Sequence, residues 1–515
     1  MRPGYVFPVL ICLATGAALA EGTDAPRLSP LPPGSRTPAA PAPPDLAGYT
    51  ADAVAAMIPA PAPGRVRLGD AAGSPHLEPL IHDRVAAAFA RRQGRDAAEV
   101  VVIEAGVYDL PGLAEALGEP AVLARDGSVF TLRRPLVVGP DAALVVRGPG
   151  ATWLRLDGAA GAFLVNAGDL FVHDSRITSW DEALAGPSPP PPPGERRESF
   201  RPFVVAFGGS RTYVAASELA QLGYPAPESY GLTLSGESPG GAADAPPPTG
   251  WIVDSRVRGN HYGLYASGAL DVAVVRTLFD ESVRYGIDPH DQSRRLIVAA
   301  NVVVGTRDRH GIILSRGVRD SWVVGNVVRG SGGSGIVLDD RSAGNVVAGN
   351  RVTHNEGDGI AVYESPDNVI WGNDVTDNGR DGLRVRNSWN VGAYRNRLVD
   401  NGGDGIEVYA QRPDRPADPN PAGEPADPYR PLAGASLGDN RIYGNRSSTI
   451  NVHDASRVDV WGLLGPEPAA PTAAAGDGVG HRDGAPGHRF GGDLKPLTAA
   501  VARLLDGGGL RIEAH

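Results

Sequence analysis

Asp288, His290 and Asp291 stand within four residues of one another, and Arg316 lies a little further along the chain. An imidazole that titrates near neutrality can carry a proton to or from a reacting carbon, an effect worth roughly 10²–10⁴-fold in rate. A neighbouring carboxylate, Asp288 or Asp291, can fix the tautomer and orientation of that ring. The guanidinium of Arg316 offers a planar fork suited to a carboxylate. Each residue also has an ordinary alternative. An isolated histidine is usually a solvated surface residue, and Arg316 paired with Asp291 or Asp340 would be a surface ion pair worth little. The choice depends on whether the fold gathers these side chains.

The elements that must position them are marked by a repeat. A glycine followed by an aliphatic residue recurs as Gly263-Leu264, Gly286-Ile287, Gly311-Ile312, Gly335-Ile336, Gly359-Ile360, Gly382-Leu383 and Gly405-Ile406, at spacings of 23, 25, 24, 24, 23 and 23 residues. Such a period identifies a solenoid. A second column keeps step: Asn301, Asn326, Asn350, Asn373 and Asn396, whose amides can bond up the stack as in cross-β ladders. The Leu-x-Leu consensus of leucine-rich repeats is missing. After each glycine the first and third residues are apolar, as in Ile312 and Leu314 or Ile360 and Val362, and so point into the coil. The second and fourth then point outward. In the Gly286 repeat these are Asp288 and His290. With coils about 4.8 Å apart, His290 should lie over Ser267 and under Ser315, Asp339, Tyr363 and Arg386. Asp291 should stand beside Arg316, Asp340 and Glu364.

The chain has 515 residues, with 68 Gly and 47 Pro, few aromatics, and short Val, Ile and Asn runs between turns. This mixture favours a turn-rich β architecture, and a repeat fold can use the whole length as one elongated body. A net charge of −11 argues against nucleic-acid binding without excluding a locally basic groove. Residues 1–20 read as a cleaved secretory signal: Arg2, an apolar run from Val6 to Leu19, and Ala18-Leu19-Ala20 before Glu21. Cys12, the single cysteine, lies inside it, and the bulky Ile11 before it argues against a lipoprotein anchor. Residues 21–63 read as a mobile Pro/Ala-rich leader. The β-helix should span 64–465, with loop insertions near 187–197, 236–248 and 411–430. Helical spacing of Leu80, Val85, Ala88 and Phe89 suits a helix capping an open end, and 466–515 reads as a flexible segment followed by a terminal helix over Leu497 to Leu505.

The stretch Tyr285-Gly286-Ile287-Asp288-Pro289-His290-Asp291-Gln292-Ser293 resembles the mannuronan (alginate) C5-epimerases, whose hallmark is a D-P-H-D motif within a parallel β-helix. Other stretches agree in order and spacing: Pro248-Thr249-Gly250-Trp251-Ile252-Val253-Asp254-Ser255, His310-Gly311-Ile312-Ile313-Leu314-Ser315-Arg316, Tyr363-Glu364-Ser365, and Arg384-Val385-Arg386-Asn387-Ser388. The likeness runs from about Ser229 to Tyr409 and extends to Leu46-Ala47-Gly48-Tyr49-Thr50. It implies an all-β, right-handed parallel β-helix of the periplasm, acting on alginate or a related polyuronate during biosynthesis and export. It implies that His290 is the base that removes the C5 proton and that Arg316 neutralises the substrate carboxylate, with Asp288 and Asp291 completing the motif. Tyr265, outward one coil below Asp288, is a candidate to stack on a sugar or to return the proton, with a simple exposed aromatic as the ordinary alternative; Tyr285 is a candidate sugar contact, and Arg294, Arg295, Arg307, Arg309, Arg384 and Arg386 are candidates to line polyanion subsites. Departures from the family lie after Ala410 and at Gly317, where an acidic residue is common.

Two other functions share the fold: a polysaccharide lyase, which begins with the same proton abstraction, and a non-catalytic polymer-guiding subunit of an export complex. Asp339-Asp340 or Asp288 with Asp291 could hold Ca²⁺, but the nonapeptide array of calcium β-rolls is missing. The expectation is therefore an isomerase with no required cofactor, no metal and no membrane anchor.

Overall fold

A computed structural model of the protein describes residues 11–14, 27–80, 83–189, 200–237, 245–411, 431–465, 503–504 and 508–513. Short β-branched runs separated by Gly, Asn and Asp turns form strands mostly of three to six residues, with longer ones at Ala62–Asp70, Glu99–Asp109 and Leu136–Arg147, and these stack in largely parallel ladders around one continuous aliphatic core. One ladder runs from Gly231–Ser235 through Tyr262–Ser267, Tyr285–His290, Ile312–Ser315, Ile336–Asp339, Ile360–Tyr363, Leu383–Arg386 and Ile406–Tyr409 to Ile450–His453. A second ladder, from Thr249–Val253 to Arg457–Trp461, and a third, from Arg256–Arg258 to Arg441–Tyr443, complete the coils. The chain is thus a parallel β-helix, as the period implies.

The register follows the expected columns. Leu264 pairs with Ile287, Ile287 with Ile312, Ile312 with Ile336, and the series continues through Ile360, Leu383 and Ile406 to Ile450, all fully buried. Each such side chain contributes about 1.5–3 kcal/mol by burial. The glycine before each of them has a steric cause. A Cβ at Gly311, Gly335 or Gly359 would stand 2.3, 2.2 or 2.1 Å from Cγ1 of Val328, Val352 or Val375, which belong to the third ladder. The corner between the third ladder and the first therefore admits no side chain.

The asparagine ladder is present. Oδ1 of Asn350 accepts from the backbone N and from Nδ2 of Asn326, while Asn350 Nδ2 donates to the Val323 carbonyl at 2.8 Å. The pattern extends from Asn301 to Asn440. A second ladder, Asn355, Asn378, Asn401 and Asn445, runs beside it. Each buried amide closes a turn whose backbone groups would otherwise lack partners.

Two expectations change. The segment read as a mobile leader is docked along the solenoid from residue 27 onward. Arg27–Pro30 pairs with Leu510–Glu513 at one end, Thr37 Oγ1 accepts from Trp461 Nε1, and Tyr49 packs edge-on against Trp251 at 4.9 Å. The Arg276 guanidinium donates to the Tyr49 carbonyl, and the helix Ala51–Met57, capped by Thr50, buries Val54 against Phe171 and Val275. Proline-rich sequence lowers the entropy lost on docking, so its composition did not preclude order. The helix Asp83–Arg92 does not cap an end; its Phe89 packs on Phe163 and Phe200, beside the outer faces of the first coils. The core is closed there by Leu110–Leu117, which buries Leu110 and Leu113 in the main aliphatic cluster. At the other end Leu510–Glu513 adds antiparallel to Arg457–Trp461. Of the proposed terminal helix only residues 503–504 are among the described residues, and the insertions near 187–197, 236–248 and 411–430 lie largely outside them. Of the signal segment only Ile11–Ala14 is described, as a strand parallel to Ile450–His453.

Asn350→Leu should remove one rung of the ladder and leave the Asn326 amide and the Val323 carbonyl without partners, destabilising the protein by about 1–3 kcal/mol. A lowered denaturation midpoint at unchanged denaturant sensitivity is the expected result, and an unchanged midpoint would contradict the ladder's role.

Candidate active site

The site lies on the outer face of the first ladder. Tyr265 is directly below Asp288 and Ser267 directly below His290, as the alternation requires. Above His290 the register continues to Ser315 and Asp339. After the strand the chain turns through a left-handed residue in coil after coil: Gly268, Asp291, Arg316, Asp340, Glu364 and Asn387 all have φ between 41° and 59°, with the glycine at 58°. Aspartate and asparagine tolerate this region, but an arginine there is strained by about 1–2 kcal/mol. Arg316 is held in it by its neighbours, its N–H on the Asp339 carbonyl and its carbonyl accepting from Gln292. This corner is what brings Asp291 and Arg316 beside the end of the strand that carries His290.

His290 Nδ1 and Asp291 Oδ2 are 2.6 Å apart. Burial favours a protonated Asp291, but the hydrogen bond and charge of His290, with Arg316 and Tyr265, outweigh it and hold this carboxyl below its ordinary range. Asp291 is therefore the acceptor, Nδ1 carries the proton, and Nε2 is left with its lone pair. Burial alone would lower the His290 pKa; the bond to Asp291 and the charges of Asp288 and Asp291 overcome it and raise it. The Tyr265 hydroxyl donates to Asp291 Oδ2 at 3.3 Å and lies 3.5 Å from His290 Nδ1, so it steadies the same pair. Asp288 is fully enclosed. Burial pushes it up to about 7 against the pull of His290, and its Oδ1 has no hydrogen-bond partner.

Arg316 approaches Asp291 Oδ1 only at 3.9 Å and is 40% exposed. Its guanidinium is thus open to an incoming anion next to His290. The other arginines proposed from the sequence are placed differently. Arg295 is tied to Asp271 at 2.8 and 2.7 Å on the exposed corner, and Arg294 is an exposed neighbour. Arg384 is bound to Asp381 and Glu407, and Arg386 makes two bonds to Glu364 while covering the Tyr363 ring at 4.2 Å. Both project from the predicted face, yet their donors are already engaged. Tyr285 lies on the same face, edge-on to Tyr262 at 5.1 Å and stacked with His310 at 5.9 Å.

Sequence reasoning missed two features. Tyr230 stacks on Tyr262 at 4.6 Å and meets Tyr265 edge-on at 4.8 Å, which makes four tyrosines of the strand-entry side one aromatic group. Glu228 is the second. Burial and then Glu237 push it up to about 7, Asp291 and His290 act on it, and its buried Oε2 has no partner. Both residues precede the strand Gly231–Ser235, before the glycine column begins, so no periodic signal marks them.

These features define a parallel β-helix protein with an ionisable His290–Asp291 pair beside Arg316 on an open sheet face. Residues 308–416 match the family described as right handed beta helix region. The mannuronan C5-epimerase of Pseudomonas putida is 38% identical over 327 residues, covering 63% of this chain and 62% of that protein. Mannuronan C5-epimerase AlgG of Azotobacter vinelandii is 36% identical over 330 residues, 62% of this chain and 61% of that one. The chain spans about three fifths of the length of these curated relatives. The crystal structure of the periplasmic alginate epimerase AlgG superposes with a TM-score of 0.76 at 31% identity, covering 84% of this chain and 100% of that chain. The chain belongs to the mannuronan C5-epimerase family, in the group typified by AlgG, and its β-helix is right-handed.

The Asp291 bond makes a prediction for solution. The His290 ring should titrate above its usual value in the wild type. In Asp291→Asn the hydrogen bond and charge of Asp291 are lost while burial and Arg316 still lower the ring pKa and only Asp288 still raises it, so the ring should titrate lower by NMR. A ring that titrates at the same pH in both proteins would show that Asp291 does not hold it.

Proposed function

We propose that this protein converts β-D-mannuronate residues to α-L-guluronate within the alginate polymer, in the periplasm. The observation that carries the reading is the juxtaposition of a carboxylate-held imidazole with a loosely engaged arginine on adjacent coils of an open face. The chemistry needs both. Removing the C5 proton places negative charge next to a carboxylate that is already anionic, and a cation fixed at that carboxylate makes the enolate-like transition state accessible. Arg316 receives the carboxylate, and Nε2 of His290 takes the proton while Asp291 holds Nδ1–H. Asp288, pushed up to about 7 by burial, is about half protonated at pH 7 and so places less charge beneath the substrate than an ordinary carboxylate would. Water supplies a proton to the opposite face of the same carbon, and His290 releases the abstracted proton to solvent, so the protons balance and no bond of the polymer backbone breaks. The open sheet face suits a polymer rather than a small enclosed substrate. Passage of the product to an export complex belongs to the same proposal.

Incubation with polymannuronate tests it. Proton NMR should show guluronate signals accumulating without ultraviolet-absorbing unsaturated ends. Unsaturated ends without guluronate would assign a lyase, and no change with retained binding would leave a polymer-guiding protein. Because the base must be deprotonated, kcat/KM should rise with pH through the raised His290 pKa, and Asp291→Asn should move that limb to lower pH. Arg316→Lys, which keeps charge but loses the fork, should retain more turnover than Arg316→Ala.

A further inference from the structure

The third ladder continues below Arg256–Arg258 through Glu218–Ala220 to Arg176–Trp180 and Trp153–Asp157. In the last two strands the alternation buries Leu154, Leu156 and Ile177 and turns Trp153, Arg155, Arg176 and Trp180 outward. Register sets Arg176 beside Trp153, and Thr178 beside Arg155. The two indoles meet edge to face, 5.3 Å apart at 84°, and Trp153 Nε1 donates to Thr178 Oγ1 at 2.9 Å. Arg155 fills the corner between them, 3.9 Å from the Trp153 ring centre and 3.8 Å from that of Trp180, and Arg176 lies 4.3 Å from the Trp153 ring. Leu278–Asp280, the strand of this ladder that leads into the coil of His290, is three coils further on, about 14 Å along the axis. The group thus stands on a different face from the one that carries His290.

Its charge is unmatched. Elsewhere on the solenoid outward arginines meet acids at short range, as Arg211 meets Asp169, Arg256 meets Asp280 and Arg276 meets Asp254. Among the described residues Arg155 and Arg176 make no ion pair and no side-chain hydrogen bond. Glu218 is in register with Arg176 without pairing with it, and Asp157 is engaged by the N–H groups of Ala159 and Ala160. The Nε of Arg155 is buried and has no acceptor. Burial first and Arg176 second lower the pKa of this guanidinium, and Asp126 offsets them only in part. A buried donor on a cation is costly to leave unmade. Stacking uses the faces of a guanidinium and leaves its N–H donors, which lie in its plane, for an oxyanion. Just beyond Trp180 the turn closed by the Asp181–Gly186 bridge lifts Leu184 into solvent, 62% exposed.

We infer that Arg155 and Arg176, held by Trp153 and Trp180 and bordered by Leu184, form a docking site for a carboxylate-bearing surface of a partner protein. Tryptophan and arginine are the residues in which the energetic centres of protein interfaces are richest, and an exposed leucine at the margin adds apolar area to bury. Two unpaired guanidiniums select an acidic partner by charge complementarity. A sugar chain fits less well, because the ring faces on which it would stack are covered by Arg155 and Arg176 and because Leu184 offers nothing to hydroxyl groups. The inference is independent of the reaction at His290. A partner seated here leaves the outer face of the first ladder uncovered.

Calorimetric titration tests it with four probes: a soluble peptide of glutamate and leucine, its lysine-for-glutamate counterpart, inorganic phosphate and polymannuronate. The acidic peptide should bind the wild type, more weakly as salt rises, and the basic peptide should not. In Arg155→Gln/Arg176→Gln the loss of two charge-assisted contacts should raise the Kd for the acidic peptide about tenfold or more. Leu184→Asp should weaken it as well, by repelling the acids and removing the apolar margin. The affinity for polymannuronate and the melting temperature should stay at the wild-type values in both variants. An acidic peptide that fails to bind the wild type, or that binds the folded Gln pair equally well, would overturn the docking site and leave a stacked group that only stiffens the wall. A tenfold loss of polymannuronate affinity in the Gln pair would overturn it in favour of the polysaccharide. Phosphate binding that the Gln pair loses, without peptide binding, would overturn it in favour of a free anion. Should the double variant fail to fold, Arg176→Gln alone, at the exposed end of the group, is read by the same criteria.

Discussion

Parallel stacking at a fixed register is the constraint on which the rest of this structure depends. Each residue of one coil is placed over its counterpart in the next, so residues more than twenty positions apart become lateral neighbours. A one-residue slip would turn every inward aliphatic to solvent and every outward ionisable group into the core. The glycine corner and the asparagine ladders prevent that slip, the first by leaving no room for a Cβ and the second by binding each turn to the next through buried amides. The proposed catalytic arrangement is a by-product of this discipline. His290, Asp291 and Arg316 meet because two coils are in register, and no special loop is needed to gather them.

The face so built is divided electrostatically along its length. Around His290 the charges are balanced unevenly: one carboxylate is committed to the imidazole, one is buried and pushed up to about 7, and the arginine is loosely held. Further along, Asp358, Asp381 and Asp404 stack over one another, each accepting from the backbone of the following coil, and Arg384 is enclosed among Asp358, Asp381 and Glu407. Those coils neutralise themselves. An anionic polymer gains little from arginines whose donors are spent, whereas an unpaired guanidinium in a partly desolvated groove binds it strongly.

Much of this was legible in the sequence because the information is periodic. The Gly-aliphatic repeat gave the coil length, the alternation after it put His290 and Asp288 outward, and counting one repeat on placed Arg316 beside Asp291. What was not legible depends on contacts that periodicity does not encode. Arg384 and Arg386 stand in the expected column, but the acids that capture them, Asp381, Glu407 and Glu364, reach them by side-chain geometry between coils. Glu228 and Tyr230 enter from a loop before the first regular repeat. The second asparagine ladder was visible, five residues after the first from Asn350 onward, yet Thr306 and Ser331 occupy its place in earlier coils and blur the column. The docked N-terminal segment was misread because its proline content signals an extended chain, while docking is decided by Tyr49, Val54 and the partners they find on Trp251 and Phe171.

The central claim is that His290 abstracts the C5 proton of a uronate whose carboxylate is held by Arg316. Incubating polymannuronate in deuterium oxide and following C5 by NMR reports that step directly, whether or not inversion follows. The wild type should incorporate deuterium at C5 of the guluronate it forms. His290→Asn, which keeps a polar side chain of similar size but has no titratable nitrogen, should bind the polymer and incorporate none. Deuterium entering C5 at the wild-type rate in the folded His290→Asn protein would contradict the account and move the base to another residue.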